Sequence, residues 1–179
     1  MKTIDKYVFQ ALDSYPFSLE ETIESLDYAF SYDSKNTMVL CLYGRIQAEQ
    51  LTNYEDAKSY FQEALAINIH ALEVYPHYLR TLILNEDYEE ALKLADFALT
   101  VKGINKAGIF VQKAILLEVQ HKFKEALKEI KSAKIYSIQH DYDSGISEIE
   151  KRIKDKIDLL KDKKKKSGKS KKDSKKKSK

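Results

Sequence analysis

The chain has 179 residues, a length that fits one domain or a short repeat array. It is 43% hydrophobic and 33% charged, with 5 Gly, 2 Pro and no Trp, which favours long helices over a turn-rich β sandwich; its one cysteine, Cys41, excludes a disulfide framework or a multi-cysteine zinc site. The net charge of +3 hides an asymmetry, because residues 161–179 hold twelve Lys and two Asp and leave residues 1–160 at −7.

From the amino terminus, Ile4, Val8, Ala11, Leu12 and Tyr15 form an apolar stripe at helical spacing, with no signal h-region before it. A second helical pattern follows at 18–32 (SLEETIESLDYAFSY), and it recurs without a gap at 53–67 (NYEDAKSYFQEALAI), 87–101 (DYEEALKLADFALTV) and 122–136 (KFKEALKEIKSAKIY). The four starts lie 35, 34 and 35 residues apart. Position two is large (Leu19, Tyr54, Tyr88, Phe123), position five small (Thr22, Ala57, Ala91, Ala126), position nine Leu26, Phe61, Ala95 or Ile130, and position twelve always Ala (Ala29, Ala64, Ala98, Ala133). Acidic residues at Glu21, Asp56, Glu90 and Glu125 fall in the first helical turn, where they complement the helix dipole. Ahead of the later copies run further stripes: Leu40, Tyr43, Gly44 and Gln47; Tyr75, Tyr78, Leu79 and Leu82; Phe110, Ala114 and Leu117. Each unit therefore reads as helix, turn, helix. Two small residues seven positions apart let a neighbouring helix approach, and stacking covers stripes that one hairpin cannot bury alone.

Over about residues 3–137 this pattern resembles the tetratricopeptide repeat family, with Gly44 and Ala114 at the small position of the first helix. The sequence departs from that family in having no Trp, no Pro after the second helix, Leu79 at a small position and Thr22 at an Ala position. The resemblance implies an all-α fold, an α-solenoid wound as a right-handed superhelix of about four helix-turn-helix units, with approximate bounds 3–36, 37–69, 70–104 and 105–137. Pro76 is read as a helix-start marker within the first turn of the third unit.

Residues 143–162 continue as one more helix, with Ile146, Ile149, Ile153, Ile157 and Leu160 on one face, and Asp143 or Ser144 available to cap it. The expectation is a C-terminal capping helix over the last repeat; a homodimer seam is the second reading of the same stripe. The Lys-rich segment 163–179 has no apolar side chain to bury and is expected to be disordered.

No catalytic constellation stands out: His70, His77, His121 and His140 lack a third ligand at metal spacing, Cys41 lacks a partner base, and no phosphate loop or nucleophile elbow is present. No enzyme activity, cofactor or metal is expected. The resemblance implies instead that the first helices line a groove that binds a peptide or helix of another protein. Its lining residues would be Cys41, Arg45 and Ala48; Glu73, Arg80, Ile83 and Leu84; and Val111, Ile115 and Glu118. The Lys and Asn set with which some members hold a chaperone carboxylate is not matched here, because Cys41, Arg45 and Pro76 stand near its places. The tail residues Lys163, Lys164, Lys165, Lys166, Lys169, Lys171, Lys172, Lys175, Lys176 and Lys177 could bind nucleic acid, a ribosome or another anionic surface weakly and without sequence preference. The absence of a membrane span or signal segment sets the expectation of a cytoplasmic protein.

Overall fold

The computed structural model describes residues 6–138 and 144–161, and every regular element among them is helical. In chain order these are α1 (Lys6–Ser14), α2 (Leu19–Tyr32), α3 (Thr37–Glu49), α4 (Tyr54–Ile67), α5 (Val74–Leu84), α6 (Tyr88–Ala98), α7 (Lys106–Val119) and α8 (Phe123–Tyr136). Residues 144–161 form α9. The chain divides into two compact units, Met1–Ile104 with α1–α6 and Asn105–Lys179 with α7–α9. Ile4, Asp143 and the tail lysines named above lie outside the described residues.

Local chemistry explains the boundaries. Asn36, Asn53 and Asn105 cap α3, α4 and α7, their side-chain oxygens accepting from Met38 N at 3.0 Å, Asp56 N at 3.4 Å and Gly108 N at 3.0 Å. Pro76 is the third residue of α5, where its missing N–H removes no intrahelical bond. Thr52, Glu86 and His121 all have positive φ (52°, 63° and 60°), and each stands two residues before a second helix, so three turns share one left-handed step. A β-branched side chain is least suited to that step. Thr52→Gly is therefore expected to raise the stability of the first unit by about 1 kcal/mol in urea unfolding, and a loss would mean that the Thr52 side chain holds the turn.

Within the first unit α3 lies against both α1 and α5, so the three first helices stand side by side. A core cluster shared by α1, α2 and α3 includes Val8, Ala11, Leu26, Ala29, Leu42 and Ile46. Gly44 is small for a steric reason: a Cβ there would sit 2.7 Å from Cε1 of the fully buried Phe61. The third hairpin reverses the sizes, since the position of Gly44 holds Leu79 while that of Phe61 holds Ala95, both buried. Thr22, at an Ala position, is also fully buried, and its hydroxyl donates to Ser18 O at 2.7 Å.

The second unit is built the same way and then covered by α9. Ile146 and Ile153 enter a cluster with Ala114, Leu117, Phe123, Ala126, Ile130 and Ala133, and Ile149 and Ile157 pack at its edge. The isoleucine stripe is thus engaged inside this unit. Glu118, 3% exposed, anchors α9 to α7: Arg152 Nε and Nη2 donate to its two oxygens at 2.9 and 2.7 Å, and Lys156 Nζ donates at 2.7 Å. Burial pushes the Glu118 carboxyl up, but these donors outweigh it and hold its pKa below the usual value. Lys134 and Lys154 hydrogen-bond Glu150 and bring its pKa down to about 2.

Candidate functional site

The first-helix face of the first unit carries a cluster of interacting charged and polar side chains. Tyr15 follows α1 directly, Arg45 and Glu49 are one turn apart on α3, and His77 lies on α5. The side-by-side arrangement of these helices brings all four together. Tyr15 Oη donates to Glu49 Oε2 at 2.5 Å, while Arg45 Nε and His77 Nδ1 stand 3.6 and 3.5 Å from Glu49 Oε1. The Arg45 guanidinium also lies over the Tyr15 ring, 4.5 Å from its centroid.

The electrostatics follow from this crowding. Burial alone would raise the Glu49 pKa, but the Tyr15 hydroxyl, Arg45 and His77 outweigh it and keep the carboxylate charged. Burial and then the neighbouring Arg45 hold His77 below the usual imidazole range, against the pull of Glu49. At neutral pH the cluster is thus a carboxylate faced by an arginine, a neutral imidazole and a phenol. Arg45 Nε is sealed from solvent and has no hydrogen-bond partner of its own.

Further along α5 the surface opens. Glu73, the N-cap of α5, and Arg80 and Leu84 on the helix, seven and four residues apart, follow one face, and all three are exposed. Among the described residues no ion pair or hydrogen bond engages the Arg80 guanidinium, which remains available to an incoming anion.

Of the ten residues expected to line a groove, four have their side chains mostly enclosed. Cys41, Ala48 and Ile83 are 5%, 6% and 9% exposed, so they shape the wall while offering little surface to a ligand. Cys41 lies 3.9 Å from Glu73 O and joins α3 to the start of α5. Glu118, the fourth, is engaged by Arg152 and Lys156 within the second unit, where Val111 and Ile115 are half-buried. Tyr15, Glu49 and His77 join the site without having been expected there. Helical spacing holds part of their signal, since Glu49 is four residues after Arg45 and His77 lies between Glu73 and Arg80.

Burial, and then the Glu73 carboxylate, push the Cys41 thiol up to about 12. Native protein at pH 8 is expected to react with a thiol reagent at least a hundredfold more slowly than denatured protein; equal rates would show that α3 and α5 are not packed at Cys41. Among the described residues no group of three or more His, Cys, Asp or Glu side chains is arranged to hold a metal ion, and no helix is long and apolar enough to cross a membrane.

No family model and no curated protein matches the sequence. Solved structures do. A thermophilic TPR protein of Thermus thermophilus, TTC0263, superimposes with a TM-score of 0.67 at 13% identity, over 80% of this chain and 79% of that one. The chain has the tetratricopeptide-repeat fold. Two further structures with TM-scores of 0.66 and 0.62 agree: PilW, a widely conserved type IV pilus biogenesis factor (14% identity, 86% of this chain and 76% of that one), and PilF of Pseudomonas aeruginosa (16% identity, 86% and 74%). The tetratricopeptide-repeat fold accounts for the recurring small residues as the contact points between paired helices, and for the alignment of first helices that gathers Tyr15, Arg45, Glu49 and His77.

Proposed function

We propose that the protein is a non-catalytic interaction scaffold that binds an extended segment of another protein on the first-helix face of its first unit. The observation that carries this reading is the α5 stripe of Glu73, Arg80 and Leu84 beside the ordered Tyr15, Arg45, Glu49 and His77 cluster. Arg80 offers a planar, unpaired cation for a carboxylate of the ligand, and Leu84, half exposed, offers apolar contact one turn away. The cluster is held in place before binding by its own contacts, so little side-chain freedom is lost when a partner docks. Cys41, Ala48 and Ile83 support the wall from beneath. Such a site recognises shape and charge and requires no reacting group.

The test is retention of proteins from cell extract by the full chain and by Arg45→Ala/Arg80→Ala, with helicity checked by circular dichroism. A charged hydrogen bond contributes about 1.5–3 kcal/mol, so the double variant is expected to retain partners at least tenfold less well with unchanged helicity. Equal retention by both proteins would remove the partner from this face.

A further inference from the structure

We infer, building on the docking face proposed above, that the seam between α1 and α2 seats an arginine or lysine side chain of the bound segment. The first unit then reads a segment with a cation at one end and a carboxylate at the other. Tyr7, Gln10 and Asp13 of α1 line a cleft of about 400 Å3 together with Glu21, Glu24 and Tyr28 of α2, and no other helix contributes to its walls. Register places this cleft on the docking face. Ser14, Glu49 and Leu84 end α1, α3 and α5, so Gln10, Arg45 and Arg80 each stand four residues before a helix end. The cleft therefore lies at the α1 end of the row that carries the two arginines.

Its chemistry suits a cation with an apolar stem. Asp13, Glu21 and Glu24 are exposed, and no basic side chain lines the cleft. Glu21 accepts a hydrogen bond from Ser14 Oγ at 3.3 Å, and none of the three carboxylates has an ion pair among the described residues. They do not converge as metal ligands, whereas an elongated organic cation can reach them from one side. Part of the wall is aromatic: the Tyr7 and Tyr28 rings stack with centroids 5.2 Å apart, and Tyr28 is 52% exposed. A lysine or arginine can lay its stem on that ring and its charge at the carboxylates. The chain seats two of its own cations in this way, Arg45 over Tyr15 and Lys106 over Tyr136, at 4.5 and 5.3 Å from the ring centroids. Residues 1–104 carry 8 basic and 17 acidic side chains, a field that favours the same sign of ligand. At the other end of the face stands Arg80, which attracts the opposite sign. Packed helices lie about 8–10 Å apart, so α1 and α5, on either side of α3, are separated by about 16–20 Å, or about five or six extended residues.

The experiment is a titration of the nitrogen-15-labelled full chain, followed by amide chemical shifts, with blocked heptapeptides synthesised in both directions. The first has arginine and glutamate at its ends and five serines between them; the second has glutamine for the glutamate, and the third glutamine for the arginine. The first two are expected to shift the amides of Asp13, Glu24 and Tyr28, and the third to leave them unmoved. Asp13→Asn/Glu24→Gln should weaken binding of the first two about fivefold, with unchanged helicity. Tyr28→Leu, which leaves the charge intact, should weaken it about threefold. The second peptide should bind Arg45→Ala/Arg80→Ala as it binds the unaltered chain, so failure of the seam and failure of the arginine row are seen separately. Unmoved seam amides, or equal affinity for Asp13→Asn/Glu24→Gln and the unaltered chain, would overturn the cation site. Equal affinity of the first and second peptides for the unaltered chain would overturn the two-ended ligand.

Discussion

Phe61→Ala is expected to lower the unfolding free energy of the first unit by about 3–5 kcal/mol, the usual cost of emptying a buried aromatic site. Phe61 is fully buried, lies against Gly44 and stacks on Tyr78 with centroids 5.6 Å apart, so three helices lose contacts together. The same geometry makes Gly44 and Phe61 a coupled pair. Gly44→Ala gains about 1 kcal/mol of helix propensity but drives a methyl into the ring, an overpacking cost of about 1–3 kcal/mol, and the net effect is destabilising. Combining Gly44→Ala with Phe61→Leu should then cost less than the two single changes together. Urea unfolding followed by far-ultraviolet circular dichroism checks all four proteins. A stabilising Gly44→Ala, or strict additivity, would show that the ring does not fill the space over Gly44.

Ile153→Ala should cost about 2–5 kcal/mol, because Ile153 is fully buried and fixes α9 on the α7 and α8 hairpin. Amide hydrogen exchange is expected to show α9 losing protection first. Retained protection throughout α9 would mean that its other contacts suffice. The carboxylates add a pH dependence to this attachment. Glu118 and Glu150 have folded-state pKa values below the ordinary 4.5, so their contributions are fully present above about pH 4.5 and are lost as pH falls through the depressed values, which for Glu150 means towards about 2. Glu118→Gln should lower stability at pH 7 by about 1–2 kcal/mol, less than for a fully enclosed pair because Arg152 and Lys156 are half exposed and can return to water. It should also flatten the acid transition. An acid profile identical to that of the unaltered protein would contradict the role of Glu118.

The fold was legible because its signal is local and repeated. Ala29, Ala64, Ala98 and Ala133 recur at one position, and each is buried in a second helix. Two apparent departures from the pattern became intelligible only in three dimensions. Leu79 stands where the pattern wants a small residue, and its counterpart on the second helix is the small Ala95; Thr22 stands for Ala and satisfies its hydroxyl within its own helix. Volume summed across a helix pair is what packing constrains, and a single position does not reveal it.

Arg45 and Arg80 entered the candidate site through the family resemblance and the register it implies for α3 and α5, but the meeting of Tyr15, Glu49 and His77 depends on three helices lying side by side. Glu118 shows the converse. Its register on α7 matches that of the groove residues, yet its partners Arg152 and Lys156 are 34 and 38 residues further along the chain, and no local pattern announces that contact.

Capture of a protein segment by the first-helix face is tested most directly by isothermal titration calorimetry. An extended peptide from a retained partner would be titrated into the full chain, Arg80→Ala, Arg45→Ala/Arg80→Ala and Lys124→Gln/Lys128→Gln/Lys131→Gln. A groove on the first unit predicts about tenfold or greater weakening with Arg80→Ala, more with the double variant, and unchanged affinity with the lysine variant. Equal affinity for the unaltered chain and both arginine variants would contradict it.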